Sequence, residues 1–206
     1  MPDQSQPQIY LITPRVFDLN AFDTDLARLL DALPVACVRL RSGESVDALS
    51  RAADALRDTC HGRDVALVLE GPASLAQSHG LDGVHLPDGA RSIRAARKTL
   101  EDGAIVGAFC DGSRHTGLSA GEAGADYVAF GPVTATGLSH QDPVDLATFA
   151  WWSEMIELPV VAEGGITLDA AETLAPVCDF LALGPEIWAQ GQSAETALRE
   201  YVARIT

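Results

Sequence analysis

The chain has 206 residues, of which 47% are hydrophobic, so it is long enough for one sizeable core and short for two. Its formal net charge is −15, with 29 acidic against 14 basic residues, and Lys98 is the only lysine. Such a charge repels nucleic acid and anionic membrane surfaces, so we expect neither as a partner. An anionic ligand must therefore be held by local positive groups, against the field of the whole molecule.

The cysteines and the N-terminus indicate a cytoplasmic protein. The four cysteines are widely spaced without a CxxC pair, which is typical of small buried hydrophobic residues: Cys37, Cys60, Cys110 and Cys178. The stretch MPDQSQPQ has neither the basic region nor the apolar region of a signal peptide. No apolar run approaches the ~18 residues of a membrane span.

Short apolar runs alternate with amphipathic segments from end to end. The runs are continuous in apolar character, like strands buried on both faces: IYLIT (9–13), VACVRL (35–40), DVALVL (64–69), DGVHL (82–86), AIVGAF (104–109), DYVAF (126–130), PVVAE (159–163) and DFLAL (179–183). The segments between them have apolar residues at helical spacing. This alternation predicts a single (β/α)8 TIM barrel over residues 1–206, with residues 1–8 as a flexible N-terminus. An open doubly wound sheet is the alternative.

Aspartate opens the fourth, sixth and eighth of these runs, at Asp82, Asp126 and Asp179. The start of a strand lies on the stability face of a barrel, away from the reactive end. We therefore interpret the three aspartates as turn or helix-capping groups.

Reactive groups of a βα barrel stand at the carboxyl ends of the strands and in the loops that follow. After the second strand come Arg39 and Arg41, which are two residues apart and so point the same way. Parallel guanidiniums suit the bidentate capture of a phosphate or carboxylate ligand. The alternative is that one arginine faces the barrel interior and pairs with a neighbouring acid.

The next three strand ends carry Glu70, His85, Asp88 and Asp111. The three carboxylates could converge on a divalent cation through oxygen ligands, or they could cap the helices that follow. His85 is a candidate catalyst, with a hydrogen-bonded structural role as the alternative.

The loops after the seventh and eighth strands are rich in glycine, at Gly164, Gly165 and Gly184. Loops at these places often bind phosphate through backbone amides and a short helix. Glu163 and Glu186 lie beside them, and a carboxylate repels a bound phosphate unless it points away. The sequence thus predicts a phosphate site here with two acids at its edge.

Six stretches, in this order and spacing, resemble the thiamine phosphate synthase family: IYLIT, VRLR, LDGVHL, IVGAF, GADYVAFGPV with T-x-T spacing, and PVVAEGGI. The related thiazole tautomerases share the same barrel. The resemblance implies a magnesium-dependent transferase that joins hydroxymethylpyrimidine diphosphate to a thiazole phosphate and releases diphosphate. The expected partners are therefore small phosphorylated heterocycles.

The resemblance also assigns residues. Arg41 falls on the family's arginine in a Q-x-R-x-K strand motif. The thiazole side of the site falls on six residues of the last three loops: Gly131, Thr134, Thr136, Gly164, Gly165 and Gly184. Catalysis is then expected from Arg39, Arg41 and His85, and metal binding from Glu70 and Asp88.

Several residues of the diphosphate side depart from the family pattern. The glutamine of the motif is Arg39 and its lysine is Gly43. Glu70 stands where an asparagine is expected, and Asp88 lies two positions from a metal-binding aspartate. The lysine that closes T-x-T-K is absent. Two other functions therefore stay open: a tautomerase that uses His85 or His140, and a non-catalytic barrel that binds phosphate or a thiamine-like ligand.

Trp151 and Trp152 are adjacent in the predicted sixth outer helix, where successive side chains diverge by ~100°. One indole can pack on the barrel while the other lies at the flank of the helix or in solvent. An exposed tryptophan is a suitable interface anchor, which raises the prospect of a homodimer. The alternative is that both indoles are buried between helices.

Overall fold

The computed structural model describes residues 6–41, 45–135, 142–188 and 192–206. Eight parallel strands pair in sequence order, and the last pairs with the first to close a barrel. The strands are β1 Gln8–Ile12, β2 Cys37–Arg41, β3 Ala66–Glu70, β4 Gly83–Leu86, β5 Ile105–Phe109, β6 Tyr127–Phe130, β7 Val160–Glu163 and β8 Phe180–Leu183. The predicted (β/α)8 barrel is confirmed, and the open sheet is excluded because β1 pairs with β8.

Helices connect the strands on the outside of the barrel. In the described part of the chain they are α1 Leu19–Ala32, α2 Val46–His61, α3 Ala73–Ser78, α4 Ile93–Thr99, α5 Arg114–Ala123, α6 Leu146–Met155, α7 Leu168–Leu174, α8 Pro185–Trp188 and α9 Ala194–Ile205. The α8 helix has only 4 residues and follows β8 directly. None of the helices in these ranges combines the length and the apolar character needed to cross a bilayer.

The apolar residues form two layers, one outside the barrel and one inside it. The outer layer packs the strands against the helices, and it contains the fully buried Trp152, Phe130 and Phe149. The inner layer is smaller, and two of its residues are tyrosines. Its buried members are Tyr10, Ile12, Cys37, Val68, Tyr127, Ala129, Val161 and Ala182. Because a Cβ on Gly107 would lie 1.9 Å from the ring of Tyr127, only glycine leaves room for that ring inside the barrel.

The three aspartates that open strands hold the barrel together at its amino-terminal end. Each side chain accepts a hydrogen bond from a backbone amide of the preceding strand, at 2.7–2.8 Å. The donors to Asp82, Asp126 and Asp179 are the amides of Leu67, Val106 and Val160, respectively. The interpretation as turn or helix-capping groups was therefore wrong, because these carboxylates link neighbouring strands. Their place on the stability face agrees with the structure.

The cysteines and tryptophans are placed as their sequence context suggested. All four cysteines are free and buried. The Trp152 indole is fully buried and donates to the carbonyl of Leu158 at 2.8 Å, whereas Trp151 is half-buried with the guanidinium of Arg114 over its ring. The two indoles thus diverge as expected for helical neighbours.

Candidate active site

The carboxyl ends of β2 and β3 bring charged side chains together at the mouth of the barrel. Arg39 and Arg41 both approach one carboxylate oxygen of Glu70, with Nε to Oε2 distances of 3.5 Å and 3.6 Å. The side chains therefore share a direction, as their spacing predicted. Arg15, from the loop after β1, lies 3.4 Å from the other oxygen of Glu70. One carboxylate thus lies among three guanidiniums, which leaves this part of the mouth positively charged.

Arg39 is also paired across the barrel with Glu163, at the end of β7. The guanidinium donates two hydrogen bonds to this carboxylate, at 2.9 Å and 3.3 Å, and Arg39 is only 3% exposed. Burial alone would lower the pKa of Arg39, but the negative charge of Glu163 raises it above its usual value. Of the two geometries expected for this arginine, the structure has the interior ion pair.

Arg41 is the more accessible arginine of β2, with 25% of its side chain exposed. Burial lowers the pKa of its guanidinium, and its buried Nε has no hydrogen-bond partner among the described residues. Together with Arg15 and Arg51 it lines a cleft of about 230 Å³ between the β1–α1 loop and α2. This local cluster of positive groups is what an anionic ligand requires in a chain of charge −15.

His85 lies inside the barrel as part of a buried chain of hydrogen bonds. Its Nδ1 is 2.9 Å from the hydroxyl of Tyr127, which lies 2.8 Å from the hydroxyl of Tyr10. Burial first, and then the charges of Arg39 and Arg41, hold the pKa of His85 well below its usual range. Both effects favour the neutral imidazole, whose Nε2 lies 4.0 Å from Glu163.

The predicted metal ligands, Glu70 and Asp88, line one cleft of about 540 Å³ between the loops after β3 and β4. Asp88 accepts a hydrogen bond from Ser92 at 2.6 Å through Oδ2, while its buried Oδ1 has no partner within the described ranges. In those ranges no three His, Cys, Asp or Glu side chains are grouped to hold a metal ion. Asp88 therefore offers one oxygen to a divalent cation, whereas the guanidiniums around Glu70 oppose a second positive charge there.

The loops after β6 and β7 are joined by close backbone contact. A Cβ on Gly131 would lie 2.2 Å from the carbonyl oxygen of Glu163, so the two chains can approach only because this residue is glycine. The amide of Val133 donates to the carbonyl of Gly164 at 2.7 Å, and the hydroxyl of Thr134 donates to the carbonyl of Gly165 at 2.6 Å. Thr136 and His140 lie outside the described residues.

The loops after β7 and β8 direct backbone amides at a common point. Gly164 and Gly165 adopt left-handed backbone angles, with φ of 85° and 71°. Three N–H groups, of Gly165, Ile166 and Gly184, point to the carboxylate of Glu186 at the start of α8. The three predicted glycines thus lie together, and one of the two flanking acids lies between them.

Sequence reasoning did not identify Arg15, Tyr10 and Tyr127 as parts of this site. Arg15 follows β1 directly and so occupies the same end of the barrel as the other candidates. Both tyrosines belong to the cluster of residues that point into the barrel. The sequence signal for them was a side chain with a polar hydroxyl within an otherwise apolar strand.

Comparison with known proteins agrees with this geometry. The family model described as thiamine monophosphate synthase matches residues 9–186. The thiamine-phosphate synthase of Rhodospirillum centenum is 42% identical over 197 residues, which cover 94% of this chain and 95% of that protein. The enzyme of the same name from Erythrobacter litoralis is 35% identical over 206 residues, covering 95% of each.

A solved structure has the same fold. The thiamine phosphate pyrophosphorylase from Pyrococcus furiosus superposes with a TM-score of 0.81 at 23% identity, covering 96% of this chain and 95% of that one. The family model and the two relatives confirm the resemblance seen in the sequence motifs. The chain belongs to the thiamine monophosphate synthase family.

Proposed function

We propose that this protein is a thiamine-phosphate synthase, a transferase of thiamine biosynthesis. It joins hydroxymethylpyrimidine diphosphate to a thiazole phosphate and releases diphosphate. The observation that carries the proposal is the 42% identity to a thiamine-phosphate synthase over 94% of the chain. The cluster of arginines and the amide-lined loops, both at the barrel mouth, support it independently.

The reaction needs a site that stabilises a leaving diphosphate. The bond between the pyrimidine methylene carbon and the diphosphate oxygen breaks, and both electrons leave with the oxygen. The lone pair of the thiazole nitrogen then forms a bond to the methylene carbon, so the products are thiamine phosphate and diphosphate. Arg41 is our candidate to bind the diphosphate, with Arg15 and Arg51 on the same cleft to compensate for the missing lysines.

Arg39 lies deeper in the barrel than Arg41, and we assign it to the same negative charge, that of the diphosphate. Its guanidinium is held by Glu163 and is 3% exposed, so we assign it an electrostatic role and the placement of Glu163. His85 is buried and hydrogen-bonded to Tyr127, which suits a side chain that orients its neighbours. Both assignments stay predictions.

Magnesium fits this site through Asp88, whose Oδ1 is buried and has no partner among the described residues. Mg²⁺ is commonly held by one or two protein carboxylates together with substrate phosphates. When bound, the ion would neutralise charge that develops on the diphosphate. Glu70 would hold the arginines in place from its position between them.

The thiazole phosphate is assigned to the opposite side of the mouth. Gly131 and Thr134 lie in the loop after β6, and Gly164, Gly165 and Gly184 lie in the loops after β7 and β8. Backbone amides of these last loops supply hydrogen bonds to a phosphate without a lysine. Thr136 lies outside the described residues, and its assignment to this side stays a prediction.

Two functions from the sequence are less well supported. A tautomerase would need a base that reaches its substrate, but His85 is 2% exposed. A non-catalytic barrel would not account for the 42% identity to a thiamine-phosphate synthase over 94% of the chain. A homodimer through Trp151 and a cytoplasmic location also stay predictions.

The test is product formation by the purified protein. We expect thiamine phosphate to accumulate, by liquid chromatography, when both precursors and Mg²⁺ are present, and not when either precursor is omitted. Calorimetry with each precursor alone separates binding from turnover. Tight binding of thiazole phosphate without any thiamine phosphate would support the binding barrel and refute the synthase.

A further inference from the structure

The carboxylate of Glu186 occupies the amide-lined pocket that the loops after β7 and β8 create. Its Oε1 accepts hydrogen bonds from the amides of Gly165 and Ile166, at 2.9 Å and 3.2 Å. Its Oε2 accepts a third from the amide of Gly184, at 2.8 Å. Both oxygens of one side chain thus satisfy donors from two separate loops.

This pocket has the donors of a phosphate site. Backbone N–H groups that converge before helices bind anions, and barrels of this type commonly place phosphate in these two loops. The left-handed conformations of Gly164 and Gly165 turn the amides of the β7 loop towards the same point. A carboxylate resembles a phosphate in charge and in its acceptor oxygens, so it is a suitable substitute ligand.

A phosphate and the Glu186 carboxylate cannot share the pocket. The same three N–H groups cannot donate to both, and two anions in contact repel each other. Glu186 is half-buried, and among the described residues it has no arginine or lysine partner to hold it. In that part of the chain, only the three amide hydrogen bonds therefore hold the carboxylate, and a phosphate that takes these donors would let it turn towards solvent.

We propose that Glu186 is an internal competitor for the substrate phosphate, and that it fills the pocket in the free enzyme and leaves when thiazole phosphate binds. The inference rests on the proposed function, because it takes the phosphorylated thiazole as the incoming ligand. Glu186 thereby sets the affinity for that substrate. It also returns to the amides as the phosphate of the product departs, which favours product release.

The competition has a measurable size. If a ligand binds only the open form, its apparent dissociation constant is the intrinsic one divided by the open fraction. A pocket that is open about one tenth of the time therefore weakens binding about tenfold. Removing the carboxylate should therefore lower the apparent dissociation constant about tenfold.

The experiment compares Glu186→Ala and Glu186→Gln with the wild type and with Glu154→Ala. Glu154 lies on the exposed side of α6, so its variant removes the same charge far from the pocket. Calorimetry with inorganic phosphate reports pocket affinity, and steady-state kinetics report KM for each substrate. We expect Glu186→Ala to bind phosphate about tenfold more tightly and to lower KM for thiazole phosphate by a similar factor.

The expected variant pattern is specific to competition. The KM of Glu186→Ala for the pyrimidine diphosphate should stay within about twofold of the wild type, and Glu154→Ala should match the wild type throughout. Glu186→Gln, which keeps the size of the side chain, should tighten phosphate binding less than Glu186→Ala. If Glu186→Ala fails to fold, the Glu186→Gln result alone decides.

Weaker phosphate binding in either folded variant would overturn the inference, because Glu186 would then support the pocket. Equal affinity of the wild type for thiazole phosphate and for its unphosphorylated alcohol would also overturn it. Tighter phosphate binding by Glu186→Ala in a protein that makes no thiamine phosphate would uphold the competition and refute only the synthase. If the wild type makes thiamine phosphate but Glu186→Ala binds phosphate more weakly, the synthase is upheld and the competition is refuted.

Discussion

Replacing Glu163 with leucine should destabilise the barrel because it leaves Arg39 buried without its main partner. The two side chains are 124 positions apart and share two hydrogen bonds, at 2.9 Å and 3.3 Å. Arg39 is 3% exposed, so water cannot replace the lost carboxylate. Breaking a buried ion pair from one side typically costs about 3–5 kcal/mol.

The expected loss lies at the lower end of this range. Glu70 is still 3.5 Å from Nε of Arg39 and retains part of the favourable interaction. We therefore expect Glu163→Leu to lower the free energy of unfolding by about 3 kcal/mol. For a domain of 150–250 residues that corresponds to a fall in Tm of roughly 6–12 °C.

Urea and thermal unfolding measure the loss. The control is Glu154→Leu at an exposed position of α6, which should change stability by less than about 0.5 kcal/mol. A double variant, Arg39→Met with Glu163→Leu, removes both charges and should recover about 2 kcal/mol relative to Glu163→Leu. The reasoning is refuted if Glu163→Leu costs less than about 1 kcal/mol. It is equally refuted if the double variant is no more stable than the single one.

Three further outcomes are expected. Arg41→Ala should lower kcat/KM for the pyrimidine diphosphate by about 10²–10³, since it removes one charged donor, whereas Arg28→Ala on α1 should leave it unchanged. Asp88→Asn should raise the Mg²⁺ concentration for half-maximal rate about tenfold or more, and an unchanged Mg²⁺ titration would exclude Asp88 as a ligand. Because burial and the nearby guanidiniums keep the pKa of His85 well below its usual 6.5, the unfolded chain binds a proton that the folded chain does not. Stability should therefore fall as the pH drops below about 6.5, and pH-dependent calorimetry should show a smaller fall in His85→Asn.

The barrel itself was readable from the sequence because its strands are buried on both faces. Runs such as IYLIT and DYVAF are continuous in apolar character, and the segments between them repeat with helical spacing. The shared direction of Arg39 and Arg41 followed from strand geometry alone. Each of these patterns is local, which is why one sequence was enough.

The partners across the barrel were not readable, because they depend on how distant strands meet. Nothing in VRLR indicates that Arg39 reaches Glu163 on β7. The sequence around Arg15 likewise does not indicate that this side chain reaches Glu70. Glu186 was recognised as an acid near the phosphate loops, but its direction depends on the tight turn from β8 into α8. That turn brings its carboxylate back onto the amide of Gly184, two residues earlier.

The central claim is that this barrel makes thiamine phosphate with arginines in place of lysines at the diphosphate. The most direct measurement follows thiamine phosphate and diphosphate together, in one reaction with both precursors and Mg²⁺. We predict that the two products appear in equal amounts and at the same rate. Release of diphosphate without thiamine phosphate, or of neither product, would contradict the account.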